Sequence, residues 1–161
     1  DIPTLETIAA AWWLRHHIPE LKVRVVNVVD LMKLYPSYLH PHGMDDTAFL
    51  EQFTEDKPVV FAFHGYPRAV HELVHGRPNA YRFHVRGFIE EGTTTTPFNM
   101  VVLNKMSRYH LCIEALRRAP RVRELAPALI AECNALLAQH TSYVQAHLED
   151  MPEVRDWEWT K

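Results

Sequence analysis

The run of β-branched residues between positions 23 and 29 most constrains what this chain can fold into. It reads "VRVVNVV" and contains five valines: Val23, Val25, Val26, Val28 and Val29. Such residues favour extended backbone, and a nearly continuous apolar run is typical of a strand that is covered on both faces. We therefore predict a buried strand that ends at Asp30.

Helical and strand patterns alternate on either side of this run. The segment "PTLETIAAAWWLRHHI" predicts a first helix with Thr4 as its N-cap, and "DDTAFLEQF" predicts a short helix capped by Asp45 or Asp46. The second strand is "KPVVFAFHG", the next helix is "PRAVHELVHG", and the third strand is "YRFHVRGF". This order predicts an α/β fold with an open, largely parallel sheet and helices on both faces.

The remainder of the chain is predicted to be mostly helical. Thr96 followed by Pro97 is a helix start signal, so "FNMVVLN" is assigned to a helix rather than a strand. Two more helices follow, in "SRYHLCIEALRRA" and "RVRELAPALIAECNALLAQHTSYVQAHLED". The tail is predicted to be a loop that docks through Trp157 and Trp159.

The start of the chain suggests a segment of a larger protein. The sequence has no initiator Met and enters a helix almost directly. A right-handed crossover would need a strand before that helix, so we expect the fold to lack its first strand. A processed or incompletely reported N-terminus is the alternative.

Composition excludes several classes of function. The 161 residues are enough for a single domain, 1–161, with a sizeable core. The net charge of −3 does not indicate a nucleic-acid-binding or membrane surface. There is no apolar run of about 18 residues, so no membrane span is predicted. Two cysteines, Cys112 and Cys133, fit a reducing cytoplasmic environment.

The string "HELVH", His71 to His75, matches the H-E-x-x-H motif of zinc hydrolases. In that motif two histidines hold the metal and the glutamate activates a water. Here His71, Glu72 and His75 lie on a short helix between Pro67 and Gly76, and a third ligand on a second helix is missing. We interpret the string as a chance match and predict no metal.

Two further segments carry candidate site residues. His64 lies at the carboxyl end of a predicted strand, where open α/β sheets place ligand crevices. The loop "RGFIEEGTTTTPF" contributes Arg86 and four threonines before a helix N-terminus: Thr93, Thr94, Thr95 and Thr96. These residues could hold an anion or contact a neighbouring domain, and the sequence leaves both open. The basic stretch Arg117, Arg118, Arg121 and Arg123 is interpreted as a solvated surface.

Several long segments resemble the C-terminal domain of bacterial xylulose-5-phosphate/fructose-6-phosphate phosphoketolases. They include "PTLETIAAAWWLR", "FAFHGYP", "FHVRGFIEEGTTTTPFNMVVLN" and "EDMPEVRDWEW". Arg68 departs from the pattern, because a large aromatic residue is expected after "HGYP". The resemblance implies a fold like the C-terminal domain of transketolase, a cytoplasmic homodimer, and a parent enzyme that uses thiamine diphosphate and Mg²⁺. That enzyme would convert a ketose phosphate and phosphate to acetyl phosphate and an aldose phosphate.

The chain by itself is not expected to catalyse that reaction. Its five glycines form no Gly-Asp-Gly element of the kind that binds the cofactor's metal in thiamine enzymes. We therefore predict a structural and dimer-contact domain that has no catalytic residues and binds no cofactor of its own, with the upstream domains as partners. The alternatives are a stand-alone anion-binding or regulatory module using Thr93–Thr96, and, less favoured, the zinc hydrolase.

Overall fold

The structure is a computed structural model that describes residues 1–89, 92 and 94–159. Within them it contains two strands and seven α-helices. The strands are β1 (Val59–Phe63) and β2 (Phe83–Gly87). The helices are α1 (Ile2–His17), α2 (Asp46–Phe53), α3 (Pro67–Val74), α4 (Pro97–Leu103), α5 (Arg108–Arg118), α6 (Ala126–His147) and α7 (Pro152–Arg155). Short 3₁₀ turns connect several of these elements.

Strands β1 and β2 pair in parallel, with Val59 opposite Phe83 and Phe63 opposite Gly87. Because side chains alternate along a strand, β1 faces two different cores. Val60 and Ala62 pack with α1, α5 and α6. Val59 and Phe61 pack on the other side with α2 and α3. The predicted α/β fold with a parallel sheet and helices on both faces is confirmed.

The predicted strand over the valine run is wrong for the described structure. Residues 22–28 have no regular secondary structure and lie outside the sheet, although Val23, Val26 and Val28 pack against the hydrophobic cores. Val29 is 88% exposed. The guanidinium of Arg24 donates to the carbonyl oxygens of Glu51 and Gln52 at 2.8 and 3.1 Å. A valine run favours extended backbone, but a strand also needs a neighbour to hydrogen-bond with, and no described segment pairs with this one.

The helix ends follow local signals closely. Thr96 caps α4 and Ser107 caps α5 through their side-chain oxygens, and Asp45 caps α2. At α1 the predicted cap is wrong by three positions, because Asp1 accepts a hydrogen bond from the Thr4 amide at 3.0 Å. The negative charge of an aspartate at the N-cap also interacts favourably with the positive end of the helix dipole.

The C-terminal tail docks through only one of its two tryptophans. Trp157 meets Trp12 edge to face at 6.4 Å, and the Arg108 guanidinium lies 5.0 Å from the Trp157 ring. Trp159 is 66% exposed, so its predicted docking is wrong in the chain as described. The tail also contains one helical turn, α7, where a loop was expected.

Helices α1 and α5 are joined by a buried ion pair. The carboxylate of Glu6 accepts hydrogen bonds from the Arg108 amide at 2.6 Å and from Arg108 Nη2 at 2.7 Å. Both side chains are almost inaccessible, at 3% and 6% exposed. The pair therefore locks the first helix to the middle of the chain.

None of the described helices combines the length and apolar character needed to cross a bilayer.

Candidate functional site

The carboxyl end of the sheet is built around close backbone contact between the segments that follow β1 and β2. The Phe88 amide donates to the Gly65 carbonyl at 2.9 Å. A Cβ at Gly87 would lie 2.4 Å from the Gly65 carbonyl oxygen, so only glycine fits there without a backbone shift. This approach brings His64, directly after β1, beside Phe88, with ring centroids 5.6 Å apart.

A cavity of about 290 Å³ opens at this end of the sheet. It brings together the start of α1, the loops after both strands, and α4. Its lining consists of Ile2, Pro3, His64, Phe88, Thr95, Pro97, Met100, Val101 and Met106. Only His64 and Thr95 of these carry polar side chains. The cavity suits an apolar group or a packing partner better than a phosphate, because its walls offer few hydrogen-bond donors.

The threonine loop is largely engaged with the protein itself. Thr95 Oγ1 accepts from Asn99 Nδ2 at 2.8 Å, and the Thr96 hydroxyl donates to the Asp150 carboxylate. Thr94 is exposed, and Thr93 lies outside the described residues. Thus two of the four candidate hydroxyls stabilise local structure, and contact of this loop with an anion or with a neighbouring domain stays a prediction.

The N-terminus of α4 already receives a carboxylate. Asp150 accepts from the Phe98 amide at 2.9 Å and from the Asn99 amide at 3.3 Å. Helix N-termini attract anions through these amides and the helix dipole. The anion at this position is therefore a side chain of the same chain, contributed from a segment about fifty residues further along.

A buried histidine lies next to this carboxylate. His140 Nε2 is 3.6 Å from Asp150 Oδ1, and neither ring nitrogen of His140 has a hydrogen-bond partner among the described residues. The Phe98 ring meets His140 edge to face at 4.7 Å. Burial lowers the pKa of His140 more than the Asp150 charge raises it. The neutral imidazole is thus the favoured form in the fold.

Arg86 is not directed at the threonines. Its Nη2 atom lies 2.8 Å from Oε1 of Glu114, a carboxylate on α5 that is only 6% exposed. The predicted members of the anion site are therefore split between two places, with His64 and Thr95 at the cavity and Arg86 of β2 paired with Glu114 of α5. That they act as one site stays a prediction.

The HELVH residues lie on a short helix, as their flanking residues predict. Helix α3 ends at Val74, and His75 forms its C-cap. His71, Glu72 and His75 are all exposed. Across residues 1–89, 92 and 94–159, no three histidine, cysteine or acidic side chains are placed to hold a metal ion together. The chance-match interpretation stays a prediction, and this geometry gives it physical support.

His110 gives the stability of the protein a predictable pH dependence. Burial, assisted by Lys105 and Arg86, lowers the pKa of His110 to about 4. Between pH 6.5 and 4 the unfolded chain therefore binds a proton that the folded chain resists, so stability falls as pH falls through this window. In urea unfolding at several pH values, the free energy of unfolding should fall less steeply with falling pH in His110→Gln than in the wild type. An unchanged slope would contradict this assignment.

The residues missed by sequence reasoning are Glu114, His140 and Asp150. A local signal existed for Glu114, because Arg117 and Arg118 follow it at the three- and four-residue spacings that share a helix face. No comparable signal links Asp150 to α4, since the contact spans more than fifty positions. Such pairs become visible only when the chain is folded.

Comparison with known proteins finds similarity to one family along nearly the whole chain. The model of the XFP C-terminal domain family matches residues 1–159. A probable phosphoketolase of Rhodopseudomonas palustris (strain BisB5) is 57% identical over 159 residues, which is 99% of this chain and 20% of that relative. Proteins with the same name from Brucella abortus (strain 2308) and Bradyrhizobium diazoefficiens are 54% and 55% identical over the same shares. The chain thus spans about a fifth of the length of these curated relatives.

Proposed function

The chain belongs to the XFP C-terminal domain family, and from this premise we propose that residues 1–161 form the C-terminal structural and dimer-contact domain of a phosphoketolase. The observation that carries the proposal is identity of 54–57% over 99% of the chain to proteins named probable phosphoketolase. Because the chain spans only a small part of the length of those relatives, we propose the other domains of the same protein as its partners.

The proposed reaction of the whole protein is the cleavage of a ketose phosphate by inorganic phosphate, giving acetyl phosphate and an aldose phosphate. The protein is a carbon–carbon lyase of the cytoplasm in this proposal. Thiamine diphosphate with Mg²⁺ would supply the chemistry that breaks the carbon–carbon bond. The described residues do not fit that group, since they contain no cluster able to hold a metal. We therefore assign its binding to the other domains and no catalytic step to this one.

The surface at the carboxyl end of the sheet supports a contact role. Exposed apolar side chains lie in the chain segments that line the cavity: Ile2 at 41%, Tyr66 at 58%, Ile89 at 50% and Leu103 at 54%. Clusters of exposed apolar residues around a concave surface mark protein–protein contacts. His64 and Thr95 would then supply polar groups within a largely apolar contact.

Activity measurements test the enzymatic part of the proposal. The full-length protein should form acetyl phosphate from xylulose 5-phosphate or fructose 6-phosphate with inorganic phosphate. Residues 1–161 alone should form none under the same conditions. Acetyl phosphate formation by residues 1–161, or none by the cofactor-loaded full-length protein, would overturn the proposal.

Matched tyrosine variants test the contact role. Tyr66→Asp places a charge on the proposed contact surface, and Tyr81→Asp places the same charge at a tyrosine that is 83% exposed elsewhere. Sedimentation of the full-length protein should show weakened dimers or loosened domains in the first variant only. Equal behaviour of the two variants would argue against this surface.

A further inference from the structure

Three arginines converge on one buried carboxylate at the edge of the sheet. Arg86 of β2 and Arg118 of α5 each place a guanidinium nitrogen 2.8 Å from an oxygen of Glu114. Arg117 adds a third guanidinium, 3.6 Å from Glu114 Oε1. We call these four residues the arginine cluster. The Glu114 carboxylate holds the arginine side chains in place. Arginines on an open surface have no such anchor.

The arginine cluster carries more positive charge than its carboxylate balances. Three guanidinium groups and one carboxylate leave a net charge of +2, on a chain whose net charge is −3. Burial raises the pKa of Glu114, but Arg86, Arg118 and Arg117 outweigh that effect and lower it. Glu114 therefore stays ionised, and the excess of two positive charges persists across the neutral pH range.

The same arginines also lower the pKa of a neighbouring histidine, His84. His84 lies two residues before Arg86 on β2 and shares its face of the sheet. Burial lowers the pKa of His84, and Arg118 and Arg86 lower it further against the opposing effect of Glu114. The neighbouring imidazole is therefore kept neutral, and the excess positive charge at this site comes from the arginines alone.

Donor counting shows that the arginine cluster has capacity left for a ligand. Each guanidinium has five N–H donors, whereas a carboxylate accepts at about four positions. The side chains also reach solvent, at 34% exposed for Arg86, 27% for Arg118 and 59% for Arg117. Anchored guanidinium groups that retain accessible donors are the usual means of binding phosphate.

We propose that the arginine cluster binds a dianionic phosphoryl group, either inorganic phosphate or the phosphate of a monoester. A group of charge about −2 matches the excess charge of the cluster, and a single carboxylate would balance only half of it. This assignment replaces the interpretation of Arg117 and Arg118 as merely solvated. It does not depend on the threonine loop, whose helix N-terminus already holds Asp150.

Binding of labelled phosphate by the full-length protein tests the proposal. Equilibrium dialysis with radiolabelled inorganic phosphate, at ionic strength fixed with chloride, measures bound phosphate per chain. Since the proposed reaction also uses phosphate, the informative quantity is the difference between variants. Arg117→Gln should remove one saturable site or raise its dissociation constant about tenfold, the loss expected for a charge-assisted hydrogen bond.

Two further variants keep the test decisive. Arg86→Lys retains the charge but loses the planar fork, and it should also weaken this site. Arg68→Gln makes the same charge change as Arg117→Gln on α3, a helix that packs on the opposite face of the sheet, and it should leave binding unchanged. Equal phosphate binding by the wild type, Arg117→Gln and Arg86→Lys would overturn the proposal.

Competition distinguishes the two sources of the phosphoryl group. Displacement of the label by glucose 6-phosphate at a lower concentration than unlabelled phosphate would assign the site to a monoester. Weaker displacement would assign it to inorganic phosphate. Binding of polyglutamate that depends on Arg117, without any phosphate binding, would reject the proposal in favour of an acidic protein partner.

Discussion

Glu6→Ala is expected to lower the free energy of unfolding by about 3–5 kcal/mol, the cost of leaving a buried charge without its partner. The Glu6 carboxylate accepts from the Arg108 amide, from Nε at 3.0 Å and from Nη2 at 2.7 Å. Removing it leaves the Arg108 guanidinium without its carboxylate partner, on a side chain that is only 6% exposed. Urea denaturation followed by circular dichroism measures the change.

The control for this prediction is Glu20→Ala, at an exposed glutamate shortly after the same helix. It should change stability by less than about 0.5 kcal/mol, as expected for a surface substitution. The double variant Glu6→Leu with Arg108→Met should recover part of the loss, because neither charge is then left buried. A loss below about 1 kcal/mol in Glu6→Ala would show that this ion pair does not hold α1 to α5.

Asp150→Ala is expected to cost about 3 kcal/mol, because it leaves the donors at the start of α4 without an acceptor. The Phe98 amide is buried and loses its 2.9 Å bond, and Thr96 loses the acceptor of its hydroxyl. His140 would also lose its only nearby charge among the described residues. Denaturant unfolding of the variant gives the magnitude.

Neighbouring substitutions separate this effect from a general charge change. Asp150→Asn keeps one carbonyl acceptor and should lose less stability than Asp150→Ala. Glu149→Ala removes an adjacent carboxylate whose ion pair with Arg155 is about half exposed, so it should cost about 0–1 kcal/mol. If Glu149→Ala and Asp150→Ala proved equally damaging, the contact with α4 would not explain the loss.

Elements with local signals were predicted well from the sequence. Strand β1 combines β-branched and aromatic residues, and α3 and α4 begin at prolines whose missing amide costs nothing at a helix start. The assignment of "FNMVVLN" to a helix depended on Thr96 and Pro97, and α4 confirms it. These features act within a few residues, so their physical cause is contained in the local sequence.

The candidate site was harder to predict because its partners are distant in sequence. His64 and Thr95 do meet at one cavity. Arg86 was grouped with the threonines because they are close in sequence, but its partner Glu114 comes from α5. Which of several nearby groups a flexible arginine meets depends on helix packing, and a linear pattern does not contain that information.

The sequence by itself determined the alternation of helices and a parallel pair of strands, the starts of α3 and α4, and membership in a family, since these rest on local propensity and on long matching segments. Only the tertiary structure decided that the valine run lies outside the described sheet and that Asp150 occupies the N-terminus of α4. It also decided that three arginines share Glu114. The reason is that hydrogen bonds and ion pairs require specific distances between groups, and folding sets those distances between residues that the sequence separates.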